Sequence, residues 1–397
     1  MMKIKHILPF FLLLLFFQTE RSSAQVQNIN KDVSPLNISL SALYVDDINP
    51  TIEKELGAFG AVIAPKGQLV ATYEGAKVLL DYSANLERFK LTDNTLLLDE
   101  MQQFDSFNIT LFSRFYISQA WHVDAQIQHV DQTQRFGEGI SQLRTNVLIA
   151  DQLKQNRGAA SIVYGNDTTS RYISITAFSS KSSYEPNNNY SSSFDIAEQG
   201  LEFDVAFKQS NASSLLFRLA ATDEDFVSDN RQDSVVYQAL LGMAWQPSGK
   251  TKFETLIGMY SRDFDSQDSS SGLSWIFDFS TEPTENWLVK VQSARNTGIS
   301  KSELTSSSVE QNVALDVTYK ATEQWHFGVS LSAGNTEFEE VDAVSKLNEV
   351  RAGLNIALIL KEHSKVLFKL CVNDQSFDDF SIDYQQSEAR LTWEVNF

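Results

Sequence analysis

The sequence predicts an all-β protein. It reads as a single antiparallel transmembrane β-barrel of about eighteen strands, sixteen at the fewest, with both termini on the periplasmic side. Three observations predict it. Segments in which apolar and polar residues alternate recur about every twenty residues. The connections between them are short and long by turns. The chain also begins with a stretch that has the composition of a secretory signal.

In that stretch Lys3 and Lys5 form a basic start, Ile7 to Phe17 an apolar run, and Ser22-Ser23-Ala24 a small-residue cleavage site. The apolar run is shorter than the roughly 20 residues of a spanning helix, and no longer one follows. The expected organisation is a signal peptide over residues 1–24, a polar periplasmic lead-in over 25–35, and the barrel over 36–397. No Cys stands near the cleavage site, so a lipid-modified N-terminus is not expected. Loss of residues 1–24 removes three basic residues and one acidic one, taking the net charge from -19 to -21. That balance speaks against nucleic acid as a partner, because a phosphate backbone needs a basic surface. The single cysteine, Cys371, permits no internal disulfide and no cysteine-built metal centre.

Strand 1, near Leu36–Asp46, sets Leu36, Ile38, Leu40, Ala42 and Tyr44 against Asn37, Ser39 and Ser41. Strand 2 spans roughly Ala58–Tyr73 and contains Pro65, which has no N–H for a ladder and predicts a bulge or local break. Strand 3 alternates Val78, Leu80, Tyr82, Ala84 and Leu86 with Asp81, Ser83, Asn85 and Glu87. Strand 4 sets Phe107, Ile109, Leu111, Phe115 and Ile117 against Asn108, Thr110, Arg114 and Tyr116; strand 5 sets Trp121, Val123, Ala125 and Ile127 against His122, Asp124, Gln126 and Gln128. Residues 136–155 are irregular and read mostly as loop, with strands 6 and 7 at about 156–165 and 171–183. From residue 198 onward eleven further segments alternate, the last being Asp383–Phe397, where Ala389, Leu391, Trp393, Val395 and Phe397 oppose Glu388, Arg390, Thr392, Glu394 and Asn396.

Every second connection is short: Glu74–Ala76, Ser118-Gln119, Asn166–Ser170, Gln209–Ser213, Pro247–Lys250, Glu282–Asn286, Ala321–Gln324 and Lys361–Ser364. Those between are longer and polar, as in SRDFDSQDSSS at 261–271 and NTEFEEVDAVSKLN at 335–348. An apolar strand face needs either a packed core or hydrocarbon. Here almost every strand carries its own apolar face, about the length needed to cross a bilayer at a tilt. No charge falls on those faces, where one near the midplane would cost about 2–4 kcal/mol. In lipid the backbone must satisfy itself, so the sheet must close. Trp121, Trp245, Trp287, Trp325 and Trp393 all fall next to short turns or the terminus, at one end of such a barrel, as an interfacial girdle would.

The opposite faces form the expected pore lining: Arg114, Tyr116, Asp124, Arg218, Glu254, Tyr260, Arg262, Asp278, Lys290, Asp316, Arg351, Lys369, Arg390 and Glu394. Mixed charges with interleaved tyrosines suit passage of a hydrated sugar polymer by hydrogen bonding and stacking, but the plainer reading is a wet wall whose charges pair with neighbours. The acidic runs Asp223-Glu224-Asp225 and Glu339-Glu340 with Asp342 read as solvated loops, since no calcium-ligand spacing orders them. His122 and Asp124 share a face, but no serine is placed with them by any motif, so they read as lumen residues, with His122 and His326 near the periplasmic rim. No cofactor, metal site or catalytic residue is expected.

Three segments resemble a known family: LSALYVDDINP, IAPKGQLVATYEGAKVLLDYSANLERF and SRDFDSQDSSSGLSWIFDFSTEPTENWLVKVQSAR. The chain is similar to the β-barrel porin type 2 proteins of exopolysaccharide and capsule gene clusters over nearly all of the mature chain. What the resemblance implies is a non-enzymatic outer-membrane channel for polysaccharide export. Its partners would be outer-membrane lipid and lipopolysaccharide, the polysaccharide substrate, a periplasmic polysaccharide-export protein, and the barrel-assembly machinery that recognises a terminal Phe. Three alternatives remain open: a general or oligosaccharide-uptake porin, an enzyme in a barrel wall such as a lipid A hydrolase, and an adhesive barrel with a blocked lumen.

Overall fold

The computed structural model describes residues 36–397 apart from 94–98, 166–168, 187–189, 229–230, 267, 303–304, 340–343, 362 and 379–382. The signal segment 1–24 and the lead-in 25–35 lie outside the described residues, as do parts of the turn at 166–170 and of the acidic run around Glu340 and Asp342.

Eighteen strands form one sheet: β1 (Asn37–Val45), β2 (Ala58–Tyr73), β3 (Ala76–Leu91), β4 (Met101–Tyr116), β5 (Trp121–Thr133), β6 (Gln152–Tyr164), β7 (Arg171–Glu185), β8 (Ile196–Lys208), β9 (Ser213–Phe226), β10 (Ser234–Ser248), β11 (Thr251–Phe264), β12 (Ser270–Thr281), β13 (Trp287–Ile299), β14 (Ser307–Lys320), β15 (Trp325–Glu339), β16 (Val344–Lys361), β17 (Ser364–Phe377) and β18 (Tyr384–Asn396). Each strand pairs antiparallel with the next, and β1 pairs with β18 from Asn37↔Asn396 to Val45↔Glu388. The sheet is therefore a closed cylinder without an edge. Strands about 4.8 Å apart and tilted about 40° make a backbone cylinder roughly 35 Å across. Both ends of the described chain lie together at the short-turn end, where the Phe397 N–H donates to the Leu36 carbonyl over 2.9 Å.

The alternation sorts as the sequence predicts. Leu40, Leu86, Phe107, Ile127, Leu201, Leu241, Ile257, Leu273, Val329, Leu354 and Leu391 are exposed, on the convex side. The opposite row includes residues as hidden as Phe89 and Arg262. Nothing but a concave wall can bury a side chain on a single-layer cylinder, so that row faces inward. The outer rows run four or five alternate apolar residues, roughly 20 Å of height at that tilt. Beyond them, towards the long loops, the outer face becomes charged: Arg88 Nη2 donates to Asp105 Oδ2 at 2.9 Å, Lys154 meets Glu185 at 2.7 Å and Lys346 meets Glu337 at 3.0 Å. At the other end the five turn-proximal tryptophans are exposed to a similar degree, 42–48%. The sixth, Trp275, stands higher on β12 and satisfies its indole N–H on Ser293 Oγ at 3.1 Å.

Pro65 takes the local break rather than the bulge. Pairing of β2 with β3 lapses between Ile63↔Leu86 and Lys66↔Ser83, and the register resumes unchanged. Several boundaries differ from the sequence reading. Asp223-Glu224-Asp225 is the end of β9 and not a loop. The segment 261–271 is mostly strand, with β11 running to Phe264 and β12 starting at Ser270. Strand β15 likewise extends to Glu339, and β6 begins at Gln152, inside the stretch read as loop. In each case polar residues continue a strand past the apolar band, where hydropathy no longer reports the pairing.

Candidate functional site

The lumen is closed down at the long-loop end by loops that fold inward. L1 is residues 46–57, between β1 and β2. L3 is residues 134–151, between β5 and β6, and contains a short 3₁₀ helix, Gly139–Leu143. Their seat is an apolar cluster inside the barrel. Leu43, Val45, Val62, Phe89 and Phe104 come from the inner wall; Ile48, Ile52 and Leu56 come from L1; Phe136 and Val147 come from L3. Phe104 stands edge-on between Phe89 and Phe136, with ring centroids 5.8 and 5.6 Å apart. An apolar row turned towards water would be costly, at about 25 cal/mol per Å². Here the upper inner wall is apolar because loops cover it.

L1 owes its shape to the aspartate-rich end of strand 1. Asp47 Oδ1 accepts from the Asn49 and Leu56 N–H groups at 3.1 and 3.2 Å, closing the loop on itself. Asn49 donates to the Val147 carbonyl at 2.8 Å, and Thr51 receives the Asn146 and Val147 N–H groups at 2.6 and 3.0 Å, tying L1 to L3. Gly137 and Gly139 of L3 have φ of 74° and 58°, which disfavours a side chain, and a Cβ at Gly139 would collide with Gln134.

L3 then reaches walls far apart in sequence. Arg135 Nε donates to Glu87 Oε2 on β3 and Nη1 to Glu388 Oε2 on β18, each at 2.9 Å. Tyr384 of β18 donates to the Gly137 carbonyl at 2.8 Å, and Gln142 meets Gln375 of β17 at 3.3 Å. Tyr190, in the loop 186–195 (L4), donates to the Ile140 carbonyl at 2.6 Å, and Arg144 stacks on its ring at 3.8 Å. Lys301, in the loop 300–306 (L7), donates to Gln142 Oε1 at 3.2 Å. L7 is itself clamped by Arg231 of the loop 227–233 (L5), which donates to the Ser300 carbonyl at 2.8 Å and to the Ser302 carbonyl at 3.2 Å. L3 is thus tied to β3, β17, β18, L1, L4 and L7, which together run around most of the circumference.

Burial sets the charges in this cap. Burial opposes the charge on Arg135, but Glu87 and Glu388 outweigh it and hold the guanidinium protonated more firmly than usual. Burial pushes Asp47 up to about 6 against the two N–H groups that lower it. It also raises Glu138, Asp151 and Asp195. A carboxyl whose docked-state pKa is raised holds its proton more tightly when docked. Docking is therefore strongest below about pH 4, and that advantage is lost as pH rises through about 6 for Asp47. The expected result is that ion conductance of the reconstituted barrel falls between pH 7 and pH 5. Asp47→Asn, which mimics the protonated form, should remove part of that dependence; a flat pH profile in the wild type would count against it.

At the level of the cap and below it the wall is lined by charge pairs. All fourteen residues read from the sequence as lining stand on the inward row. Arg114 grips Asp124 with two bonds of 2.8 Å, and the Tyr116 and His122 rings lie beside them, 6.0 Å apart. Arg218 meets Asp204 at 2.7 Å and Glu202 at 3.3 Å. Asp278 accepts from Gln292 at 2.7 Å, and Lys290 stands opposite Asp316 in the β13–β14 register. Arg351 holds Glu349 at 2.6 Å, Arg390 holds Glu388 at 2.8 Å, Lys369 lies opposite Arg390, and Glu394 meets Lys365 at 3.2 Å.

Arg262, Glu254 and Tyr260 are different, because they are buried. Here the wall turns a corner. A Cβ on Gly242 would collide with the Thr255 carbonyl and one on Gly258 with the Ala239 carbonyl, so only glycine lets β10 and β11 bend this tightly. In the corner Leu216, Leu240, Leu256 and Ala206 form a second inner apolar cluster, and Tyr260 lies over Gly272. Arg262 donates to Glu224 of β9, to Ser234 of β10 at 2.8 Å and to Thr297 of β13 at 3.3 Å. Sequence reasoning placed Gly242 and Gly258 inward but gave no reason for them. It read 136–155 mostly as loop but missed that L1 and L3 fold into the lumen, although Phe136, Ile140 and Val147 in a polar stretch were a signal. Among the described residues no group of His, Cys, Asp and Glu is placed to hold a metal ion.

No family model matches the chain, and no curated protein does. Solved structures do resemble it. The outer membrane protein OpdK from Pseudomonas aeruginosa matches with a TM-score of 0.47 at 10% identity, over 91% of this chain and 98% of that one. A BenF-like porin from Pseudomonas fluorescens gives 0.47 at 12%, over 92% and 99%. The FrpB iron transporter from Neisseria meningitidis gives 0.48 at 8%, over 91% and 81%. Identities this low and TM-scores under 0.5 decide nothing about what this chain carries.

Proposed function

We propose that this chain is an outer-membrane channel, not an enzyme, that passes small hydrophilic solutes and selects them by size at the inward-folded cap. The single observation that carries this is the combination of an uncharged apolar outer belt with an inner wall of polar and charged pairs. The belt fits hydrocarbon bounded by an aromatic ring, and the interior is wettable along the charged rows. An eighteen-stranded cylinder is wide enough to hold an aqueous path unless something fills it. L1 and L3 fill part of it at one level, which makes a constriction. The lining residues below it, Arg114, Asp124, Arg218 and Asp278 among them, face the path.

Export of a polysaccharide, which the family resemblance implies, would require a polymer to pass the level where L3 is tied to β3, β17 and β18. The cap therefore favours small-solute passage over a standing polymer conduit. Proteoliposomes should swell in pentoses and disaccharides at rates that drop steeply with sugar size. Size-independent swelling, or none from correctly folded barrel, would sink the proposal. Loss of surface polysaccharide on deletion of the gene, with swelling unaffected, would restore export.

A further inference from the structure

We infer that the short-turn mouth of the barrel is an anion-binding vestibule that takes carboxylated, sulfated or phosphorylated chains from the periplasmic side. Its sidedness rests on the channel reading above.

The strand registers identify the inward residue nearest the short-turn end on each of the eighteen strands, and all eighteen are described. None is a carboxylate. Five are lysines: Lys77, Lys208, Lys252, Lys320 and Lys365, on β3, β8, β11, β14 and β17. Two are histidines, His122 and His326, and Lys320 stands directly opposite His326. The lysines are spread around the circumference rather than clustered, so they form a ring. Lys66, three steps deeper on β2 and more than half exposed, stands 4.0 Å from Glu394.

This ring belongs to a chain whose net charge is -19. The acids therefore lie elsewhere, and many are at the other end. Glu53, Glu55, Asp93, Asp99, Asp263 and Asp378 are exposed at the long-loop end. Of the four carboxylates one step inside the ring, Asp124 is engaged by Arg114 through two 2.8 Å bonds, Asp278 by Gln292 at 2.7 Å, and Glu394 by Asn37 at 2.8 Å and by Lys365 at 3.2 Å, which takes up part of that lysine's charge; Glu254, next to Lys252, is buried. The turn tips carry Glu74, Glu282, Glu285 and Glu323, which are exposed and lie in the turns, beyond the inward rows that line the vestibule. A low-dielectric wall behind the ring focuses its field into the vestibule instead. Two ends of opposite fixed charge make the barrel electrically asymmetric along its axis. An anionic chain is drawn to the short-turn mouth and repelled at the long-loop mouth.

The test is dextran sulfate against neutral dextran of the same length, on the folded full-length barrel. In detergent, dextran sulfate should bind at low salt and neutral dextran should not. Lys208→Gln/Lys252→Gln/Lys320→Gln should weaken binding about tenfold, and the difference should fade towards 1 M salt, where the Debye length is only about 3 Å. In planar bilayers dextran sulfate should block current from the short-turn side at lower concentration than from the other side. Undiminished binding by the triple variant, or equal block from both sides, would overturn the vestibule. Lysine-dependent binding by a folded barrel that carries no current would keep the vestibule and remove the channel reading.

Discussion

Arg135→Ala should raise the single-channel conductance of the reconstituted barrel at least about twofold, while the protein still migrates as a folded barrel. The side chain joins L3 to Glu87 and Glu388 and lies over the Phe89 ring at 5.2 Å. Without it two largely buried carboxylates face each other across the seat of L3. Breaking a buried pair by removing one partner costs about 3–5 kcal/mol. Arg390 still holds Glu388 at 2.8 Å and reaches Glu87 at 4.0 Å, which puts the cost at the low end of that range. The cost falls on the docked loop, because an undocked L3 lets water reach both carboxylates. It falls little on the barrel, because Glu87 and Glu388 stand on the inward rows of β3 and β18 and the outer belt holds none of the three side chains. Arg135→Lys should recover only part of the wild-type behaviour, since an ammonium lacks the planar fork that spans two acids. Arg135→Ala combined with Glu87→Gln and Glu388→Gln should return conductance towards wild type. Unchanged conductance in Arg135→Ala would show that the apolar seat alone holds L3.

The barrel itself was legible because lipid imposes a rule on every strand separately. Each must show an uncharged apolar row outward, so period-two alternation survives even where turns and loops vary. The eighteen strands, the alternating connection lengths and the tryptophan ring all follow from that rule. The lumen is under no such rule. Leu43 and Val45 on β1 broke the expected polar inner row, and the loop 134–151 carried Phe136, Ile140 and Val147 where a solvated loop would not. Those two irregularities belong together, since the apolar wall and the apolar loop cover each other, but they are about ninety residues apart and no periodicity joins them. The corner at Gly242 and Gly258 was hidden for another reason. A glycine on an inner row reads as a neutral lining position, and only the collision with a neighbouring carbonyl reveals the bend. Sequence reasoning also assigned the lining charges one at a time. Their pairing across strands, as for Arg114 with Asp124 and Arg218 with Asp204, depends on register, which hydropathy fixes only to within a residue pair.

Arg262→Met should destabilise the folded barrel by about 3–5 kcal/mol, the usual cost of stranding one member of a buried ion pair. Arg262 is 1% exposed and Glu224 is 4% exposed, so neither can turn to water while the corner stays closed. With the guanidinium gone, Glu224 keeps only Ser234 Oγ at 3.1 Å among the partners around it here. Serine supplies a single neutral donor where the arginine supplied two charged ones. The double variant Arg262→Met/Glu224→Leu should regain most of the loss, because similar volume without charge is about as stable as the intact pair. The measurement is the urea midpoint in detergent micelles, read by loss of the heat-resistant folded band. A single variant as stable as wild type would mean that the corner is hydrated and that the tight bend at Gly242 and Gly258 does not exclude water. If instead the double variant is stable but passes larger sugars, the ion pair is there to hold β9, β10, β11 and β13 in one register at the mouth. Its role would then be to fix the shape of the path, since an apolar pair would supply the stability equally well.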